Sequence, residues 1–146
     1  MGTITTAMCN SFKQELLGGV HDLDTHTLKL ALIKPSPTGS FGAATTNYSE
    51  LTSSSDEASG TNYSAGGQNL DSATISLSGT TAFVDFADEV FSNLTITAAG
   101  ALIYNSSASN KAIAVFSFGS NVASTAGDFT VIFPAADASN AVLRIT

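Results

Sequence analysis

Short apolar runs separated by turn residues fill the chain after His26, and this pattern limits the fold more than any other feature. The runs are rich in β-branched and aromatic residues and are bounded by Gly, Asn, Ser and Asp, which is typical of β-strands. None of the intervals between them has the helical periodicity needed to connect parallel strands. The sequence therefore predicts a mainly β fold, an antiparallel β-sandwich.

Alternation of apolar and polar residues places individual strands. Leu28, Leu30 and Leu32 alternate with other residues, as do Ile75 and Leu77, which predicts strands with one face in water. Gly79, between Ser78 and Thr80, predicts a hairpin turn. Further strands are expected at residues 82–86, 94–98, 101–104, 112–118, 129–133 and 141–145. Residues 98–100 fit either a β-bulge or a tight crossover.

One helix is predicted near the start of the chain, from Thr6 to Leu17. Apolar residues recur there at every fourth position and form one stripe. The stripe consists of Met8, Phe12 and Leu16. Thr5 or Thr6 is suited to cap the start of the helix, and Gly18-Gly19 is suited to end it.

Residues 34–60 break the pattern and predict a long loop after the first strand. The segment opens with Pro35 and closes with a Ser-rich, acidic run, and it shows little periodicity between. Loops of this length in compact domains are commonly binding elements or disordered segments. Which of these applies depends on whether Phe41, Tyr48 and Leu51 find something to pack against.

The length of 146 residues predicts one domain over residues 1–146, with the helix and a connection in 1–26 and the β-sandwich in 27–146. No apolar run is long enough to span a bilayer. Residues 1–17 lack the basic flank and apolar stretch of a signal peptide. Cys9 is the only cysteine, so no internal disulfide is expected. Its position in the helix favours a small, buried and unreactive side chain.

The charge balance argues against two classes of partner. The chain carries 12 Asp and Glu against 5 Lys and Arg, a net charge of -7, and charged residues make up only 12% of it. Nucleic acids and anionic membranes both attract clustered cations, which this sequence lacks. We therefore expect neither of them as a partner, and we expect a surface built mainly of hydroxyl and amide groups.

Two groups of side chains could hold a metal ion, and both have a less specific interpretation. His21, Asp22, Asp24 and His26 lie close together, but their spacing matches no metal motif, which favours a solvated connection. The acidic group Asp85, Asp88 and Glu89 could supply calcium ligands or form a polar strand end. We expect no metal and no cofactor, and calcium binding by the acidic group stays an open alternative.

Catalytic motifs are missing from the sequence. It has no G-x-S-x-G elbow, no P-loop lysine and no dinucleotide-binding spacing, so we expect no catalytic residues and no enzymatic activity. A hydrolase acting on polysaccharide or cell wall through paired carboxylates is a minor alternative, with Asp85 as its test residue.

Five segments resemble a family of small structural proteins of tailed bacteriophages, of the type found in phages of marine bacteria and cyanobacteria. They are residues 5–17 (TTAMCNSFKQELL), 59–67 (SGTNYSAGG), 78–86 (SGTTAFVDF), 100–105 (GALIYN) and 137–145 (DASNAVLRI). The resemblance covers most of the chain, and residues 34–56 depart most from it. It implies a virion protein made in the host cytoplasm, and a capsid decoration (cement) protein on the capsid exterior.

The resemblance suggests the major capsid protein as partner, together with self-association, for which a homotrimer at local three-fold positions is the natural symmetry. We expect Pro35, Phe41 and Tyr48 to contact the partner. Phe12 and Leu16 either cover the sheet or form an apolar foot on a neighbour, and the core role is favoured. Deletion of residues 34–56 should then leave a folded domain that no longer binds capsids. A tail- or fibre-associated adhesin is the alternative function.

Overall fold

The computed structural model describes residues 1–134, 136–137 and 139–146. Its elements in chain order are β1 (Ala7–Met8), α1 (Asn10–Leu17), β2 (Leu28–Ile33), α2 (Ser49–Ser53), β3 (Gln68–Asn69), β4 (Thr74–Ser78), β5 (Thr81–Asp85), β6 (Glu89–Asn105), a 3₁₀ turn (Ser106–Ala108), β7 (Lys111–Val131) and β8 (Leu143–Ile145). Among these residues no helix is both long and apolar enough to cross a membrane.

The strands form two antiparallel sheets, which confirms the predicted fold class. The main sheet has the order β1-β7-β6-β2-β3, and the small sheet has the order β4-β5-β8. The core lies against the middle of the main sheet, where β2, β6 and β7 carry fully buried side chains such as Leu30, Leu102 and Ile113. The long loop predicted after the first strand follows β2. The strand before it is second in the chain because the short strand β1, which was not predicted, precedes α1.

The hairpin of β6 and β7 is longer than predicted because residues 98–100 form a bulge and not a crossover. Ala98 lies opposite Val122, whereas Gly100 lies opposite Ser117. Residues 118–121 of β7 are therefore set against Ala99 alone. A Cβ atom at position 100 would lie 2.5 Å from the Phe116 carbonyl oxygen, so only glycine fits this close approach.

The N-terminal helix is confirmed, but it begins at Asn10 and not at Thr6. Ala7 and Met8 instead pair with β7, which removes them from the helix. Cys9 occupies the N-cap position and makes no side-chain capping bond there, so the expected threonine cap is wrong. The predicted end is correct, since Gly18 is the C-cap and Gly19 takes a φ of 75°.

Residues 34–60 pack against the body of the protein and include the short helix α2. Phe41 is 3% exposed, and Leu51 and Asp56 are fully buried. The Asp56 carboxylate accepts hydrogen bonds from the backbone N–H groups of Thr38 and Gly39, each at 2.8 Å, and pairs with Lys34 Nζ at 3.0 Å. Burial by itself raises the pKa of Asp56, but these bonds and one from Ser54 outweigh it and hold the pKa well below its usual range.

Three tyrosines fasten the end of this segment to the main sheet around Glu57. Tyr48 and Tyr63 donate to the two carboxylate oxygens of Glu57 at 2.5 and 2.7 Å. Tyr104 donates to the carbonyl oxygen of Gly66, whose N–H binds Glu57. The rings of Tyr48 and Tyr104 stack at 4.5 Å. We call these four side chains, Glu57 and the three tyrosines, the Glu57 cluster.

Candidate interaction surface

An apolar cleft of about 400 Å³ lies between α1 and the small sheet. Its wall on the helix side includes Met8, Phe12 and Leu16, and its wall on the sheet side includes Ile75, Val84, Leu143 and Ile145. His21 and Asp22 bring polar groups to its edge. Apolar clefts that carry few polar groups are the usual form of binding sites.

The sheet side of the cleft belongs to one face of the small sheet, and only part of that face is buried. Val84 and Leu143 lie opposite each other and are 3% and 7% exposed. On β4, Ile75 and Leu77 are 54% and 72% exposed, and Ile145 on β8 is 55% exposed. We call Ile75, Leu77 and Ile145 the small-sheet apolar patch. The prediction that Ile75 and Leu77 mark the dry face of β4 is therefore wrong.

On the helix side, the stripe of α1 covers the sheet. Phe12 is 1% exposed, and Met8 and Leu16 are partly buried and pack against the core. This arrangement agrees with the core role favoured for Phe12 and Leu16. Leu17, the next residue, points away from the stripe and is 93% exposed. The end of the helix therefore carries an exposed apolar side chain that does not line the cleft.

The two histidines do come together, but on an amide and not around a metal ion. The buried Asn105 Nδ2 lies 3.0 Å from His21 Nδ1 and 2.9 Å from His26 Nδ1. His21 Nε2 also lies 3.1 Å from a carboxylate oxygen of Glu15. Because His21 is only 6% exposed, the expectation of a solvated connection is wrong for this side chain. The network anchors the segment between α1 and β2.

The three carboxylates of the acidic group lie in different surroundings. Asp88 accepts a hydrogen bond from the Phe133 backbone N–H at 2.9 Å, while one oxygen of Asp85 is buried with no hydrogen-bond partner in the described part of the chain. Glu89 is 5% exposed, and its burial together with the nearby Asp71 raises its pKa to about 7. Within residues 1–134, 136–137 and 139–146, no three His, Cys, Asp or Glu side chains are grouped as metal ligands.

The loop residues expected to contact a partner differ in their exposure. Phe41 is buried, so its side chain is not offered to a partner, and this part of the hypothesis needs correction. Tyr48 is half-buried and is held by the Glu57 cluster. Pro35 is half-exposed. Phe41 is buried because this segment packs against the body of the protein and contributes apolar side chains to its core.

Cys9 is positioned as a structural residue. It is fully buried in the core, and its thiol lies 3.8 Å from the Gly42 carbonyl oxygen. Burial raises the pKa of Cys9 to about 12, with the charges of Glu50 and Glu15 adding to the shift. A thiol that stays protonated at neutral pH is a poor nucleophile.

Sequence reasoning missed the small-sheet apolar patch, because alternation alone cannot tell which face of a hairpin is covered. A usable signal was present, since the segment 72–84 contains no charged residue and still needs a partner for its apolar side. Comparison with known proteins adds no assignment to this geometry. No protein-family model, no curated protein and no solved structure matches the chain.

Proposed function

We propose that this chain is a structural protein of a tailed-phage virion, and specifically a decoration protein that binds the outer surface of the major capsid protein lattice. The resemblance of the five segments supports the phage origin. The observation that carries the mode of action is the exposed apolar surface of the small sheet and of the end of α1, where Leu77 is 72% and Leu17 is 93% exposed. Apolar groups concentrated in this way mark a contact with another protein.

A repeating lattice makes such modest patches sufficient. A protein that contacts two or three neighbouring subunits gains from the high effective concentration of the second contact. Association entropy consumes much of the gain from any single patch. Binding through several small contacts therefore suits a surface on which no single apolar region is large.

The charge of the chain favours the exterior of a capsid over its interior. The net charge of -7 would be repelled by packaged DNA, whereas the outer shell presents protein only. The acidic surface also discourages unspecific association with other acidic proteins in the host cytoplasm, where the chain would be made.

We assign the capsid contact to the end of α1. Leu17 is 93% exposed and Val20 is 37% exposed, so both are free to meet another surface. This assignment replaces the one based on Phe41. It keeps Leu16 as the residue that joins the core to the contact, since Leu16 lines the cleft and packs on the core.

The test is to mix the purified protein with capsids that lack decoration and to measure occupancy by electron microscopy. Leu17→Glu should lower occupancy at least tenfold, because it places a charge in an apolar contact. Ile132→Glu, at a residue that is 75% exposed and distant in sequence from α1, is the matched control and should bind normally. Equal occupancy for both variants would contradict the assignment to α1.

The copy number in purified virions tests the broader proposal. A decoration protein should be present in proportion to the major capsid protein, and density for it should lie on the shell. A few copies located on the tail would instead support the tail or fibre alternative. Absence from the virion would overturn both.

A further inference from the structure

We propose that β4 is a self-association edge, at which two copies of this chain pair antiparallel around a two-fold axis that passes beside Ser76. This inference does not depend on the phage assignment. It rests on the backbone geometry, the neutrality and the apolar face of β4.

The outer edge of β4 has no backbone partner within the described residues. β4 pairs with β5 along its whole length, and it ends the small sheet. Thr74, Ile75, Leu77 and Ser78 are exposed, and Ser76 is half-exposed. No neighbouring loop in the described chain covers this edge with backbone hydrogen bonds.

The turn fixes which backbone groups face outward. Ser78 and Thr81 pair across a two-residue turn, and Gly79 at its first central position has a φ of 61°, as a type II′ turn requires. The pair that closes such a turn exchanges hydrogen bonds, and hydrogen-bonded and non-bonded pairs then alternate. The N–H and C=O groups of Ile75 and Leu77 therefore point away from β5 and toward the free edge.

β4 lacks the devices that normally protect an edge. Edge strands are commonly shortened, bulged or marked by Lys or Pro. Within the part of the chain that the structure describes, the other strands that end a sheet are short, since β1 and β3 have two residues each and β8 has three, one of them Arg144. The parts of β6 and β7 that extend beyond β2 and β1 also have free edges, but register shifts interrupt their pairing. β4 has five residues, a regular register and neither charge nor proline.

A second copy fits this edge better than an unrelated strand does. In a register centred on Ser76, Ile75 of one copy lies opposite Leu77 of the other, and about four backbone hydrogen bonds form. The exposed apolar side chains then cover each other on one face, and only Ser and Thr meet on the opposite face. Because the chain carries a net charge of -7, a neutral edge is also the place where two copies approach with least repulsion.

The contact is small, and its strength follows from that. It involves β4 and the side chains of Ile75 and Leu77 of each copy, less than the roughly 1,200 Å² of a standard stable interface. We expect a dimer with a Kd on the order of 100 μM in free solution, strengthened where copies are concentrated. This two-fold pairing is distinct from the three-fold arrangement suggested by the resemblance.

Cysteine cross-linking tests the register in the full-length protein. Side chains opposite each other in a non-hydrogen-bonded pair have Cβ atoms about 4.5–5.5 Å apart. Ser76→Cys should therefore form a disulfide-linked dimer under mild oxidation. Thr74→Cys alone should not, because its copies would lie roughly 13 Å apart along the strand. A mixture of Thr74→Cys and Ser78→Cys proteins should form the mixed dimer. The native Cys9 is buried and does not compete.

Sedimentation measured across a concentration series supplies the second readout. Leu77→Lys should weaken the dimer at least tenfold, since it sets a cation into the apolar contact, while Ile132→Lys should leave it unchanged. Two results would overturn the proposal. One is a protein that stays monomeric at every concentration up to 1 mM and whose Ser76→Cys variant forms no cross-linked dimer. That result would also be seen if β4 paired only with a strand of another protein, so this case counts against the proposal as well. The other is cross-linking of Thr74→Cys alone at the same rate as Ser76→Cys.

Discussion

Residues 34–60 and the small sheet contradict the usual expectation that irregular segments are exposed and regular strands are buried. The first segment is irregular in sequence, yet it buries Leu51 and Asp56 completely and is tied down by the Glu57 cluster. The small sheet is regular in sequence, yet it leaves Leu77 72% exposed. Irregular sequence therefore does not mark the exposed apolar surface in this protein. Regular strands of the small sheet carry exposed apolar side chains instead.

Deletion of residues 34–56 should have the largest effect on the stability of the protein. The deletion removes Phe41 and Leu51 from the core together with the buried Asp56, so we expect loss of the folded state and not a folded domain with altered binding. Circular dichroism and a thermal melt would measure this. A cooperative transition in the deleted protein would show that the segment is dispensable and would restore the idea of a detachable binding loop.

Asp56→Asn should destabilise the protein by about 3 kcal/mol, because it leaves a buried network with one charge removed. The lowered pKa of Asp56 sets the pH dependence. A carboxylate with a lowered pKa in the folded state stabilises the fold above its unfolded pKa of about 4, and this contribution is lost as the pH falls below that value.

Urea denaturation at several pH values would test this. The difference between the wild type and Asp56→Asn should be full at pH 7 and should shrink below pH 4. Asp128→Asn, at an exposed carboxylate, serves as a control with little expected effect. A constant difference across the whole pH range would show that packing, and not charge, accounts for the effect.

Glu89→Gln should stabilise the protein at high pH. Glu89 lies where the main sheet meets the chain leading to the small sheet, and its pKa of about 7 means that its charged form is penalised by burial and by Asp71. The protonated form of Glu89 is favoured in the folded state. Its contribution to stability is therefore full below the unfolded pKa near 4.5 and is lost as the pH rises through 7.

The expected gain for Glu89→Gln is about 2 kcal/mol at pH 8, with almost none at pH 4. The replacement suits the site because Gln68, with its amide turned toward Glu89, can donate to the remaining oxygen. Denaturation curves at both pH values measure the effect. A gain of the same size at pH 4 would rule out ionisation as its cause.

Leu77→Ser should change stability least, within about 0.5 kcal/mol, because the side chain is 72% exposed. Leu51→Ser, with the same change of residue type at a buried position in the irregular segment, should cost several kcal/mol. Thermal melts of the pair would sharpen the contrast between the two regions. Similar losses for the two variants would mean that the small sheet is covered in solution even in the isolated protein.

Local patterns in the sequence were sufficient for the fold class, the end of α1 and the turn at Gly79. These features depend on neighbours along the chain, so periodicity and turn residues reveal them. The start of α1 depends instead on pairing of Ala7 and Met8 with β7, more than 100 positions away, which no local pattern encodes. No local pattern encodes the position of Asn105 either, because its amide contacts His21 and His26 about 80 positions earlier in the chain.

The candidate surface was only partly within reach of the sequence. The helix stripe identified Phe12 and Leu16, which do line the cleft. Phe41 misled because an aromatic residue in a polar loop looks the same whether it packs inward or outward. The backbone of Phe41 pairs with that of Ile4, a long-range contact that no local pattern encodes.

The Glu57 cluster has a practical consequence for spectroscopy. The chain contains no Trp and only three Tyr, and all three belong to this cluster. Near-ultraviolet absorbance and emission of the native protein therefore report on one location, the junction between residues 34–60 and the main sheet. Release of that junction can be followed by light alone, without any label, while the rest of the molecule stays optically silent at those wavelengths apart from weak phenylalanine bands.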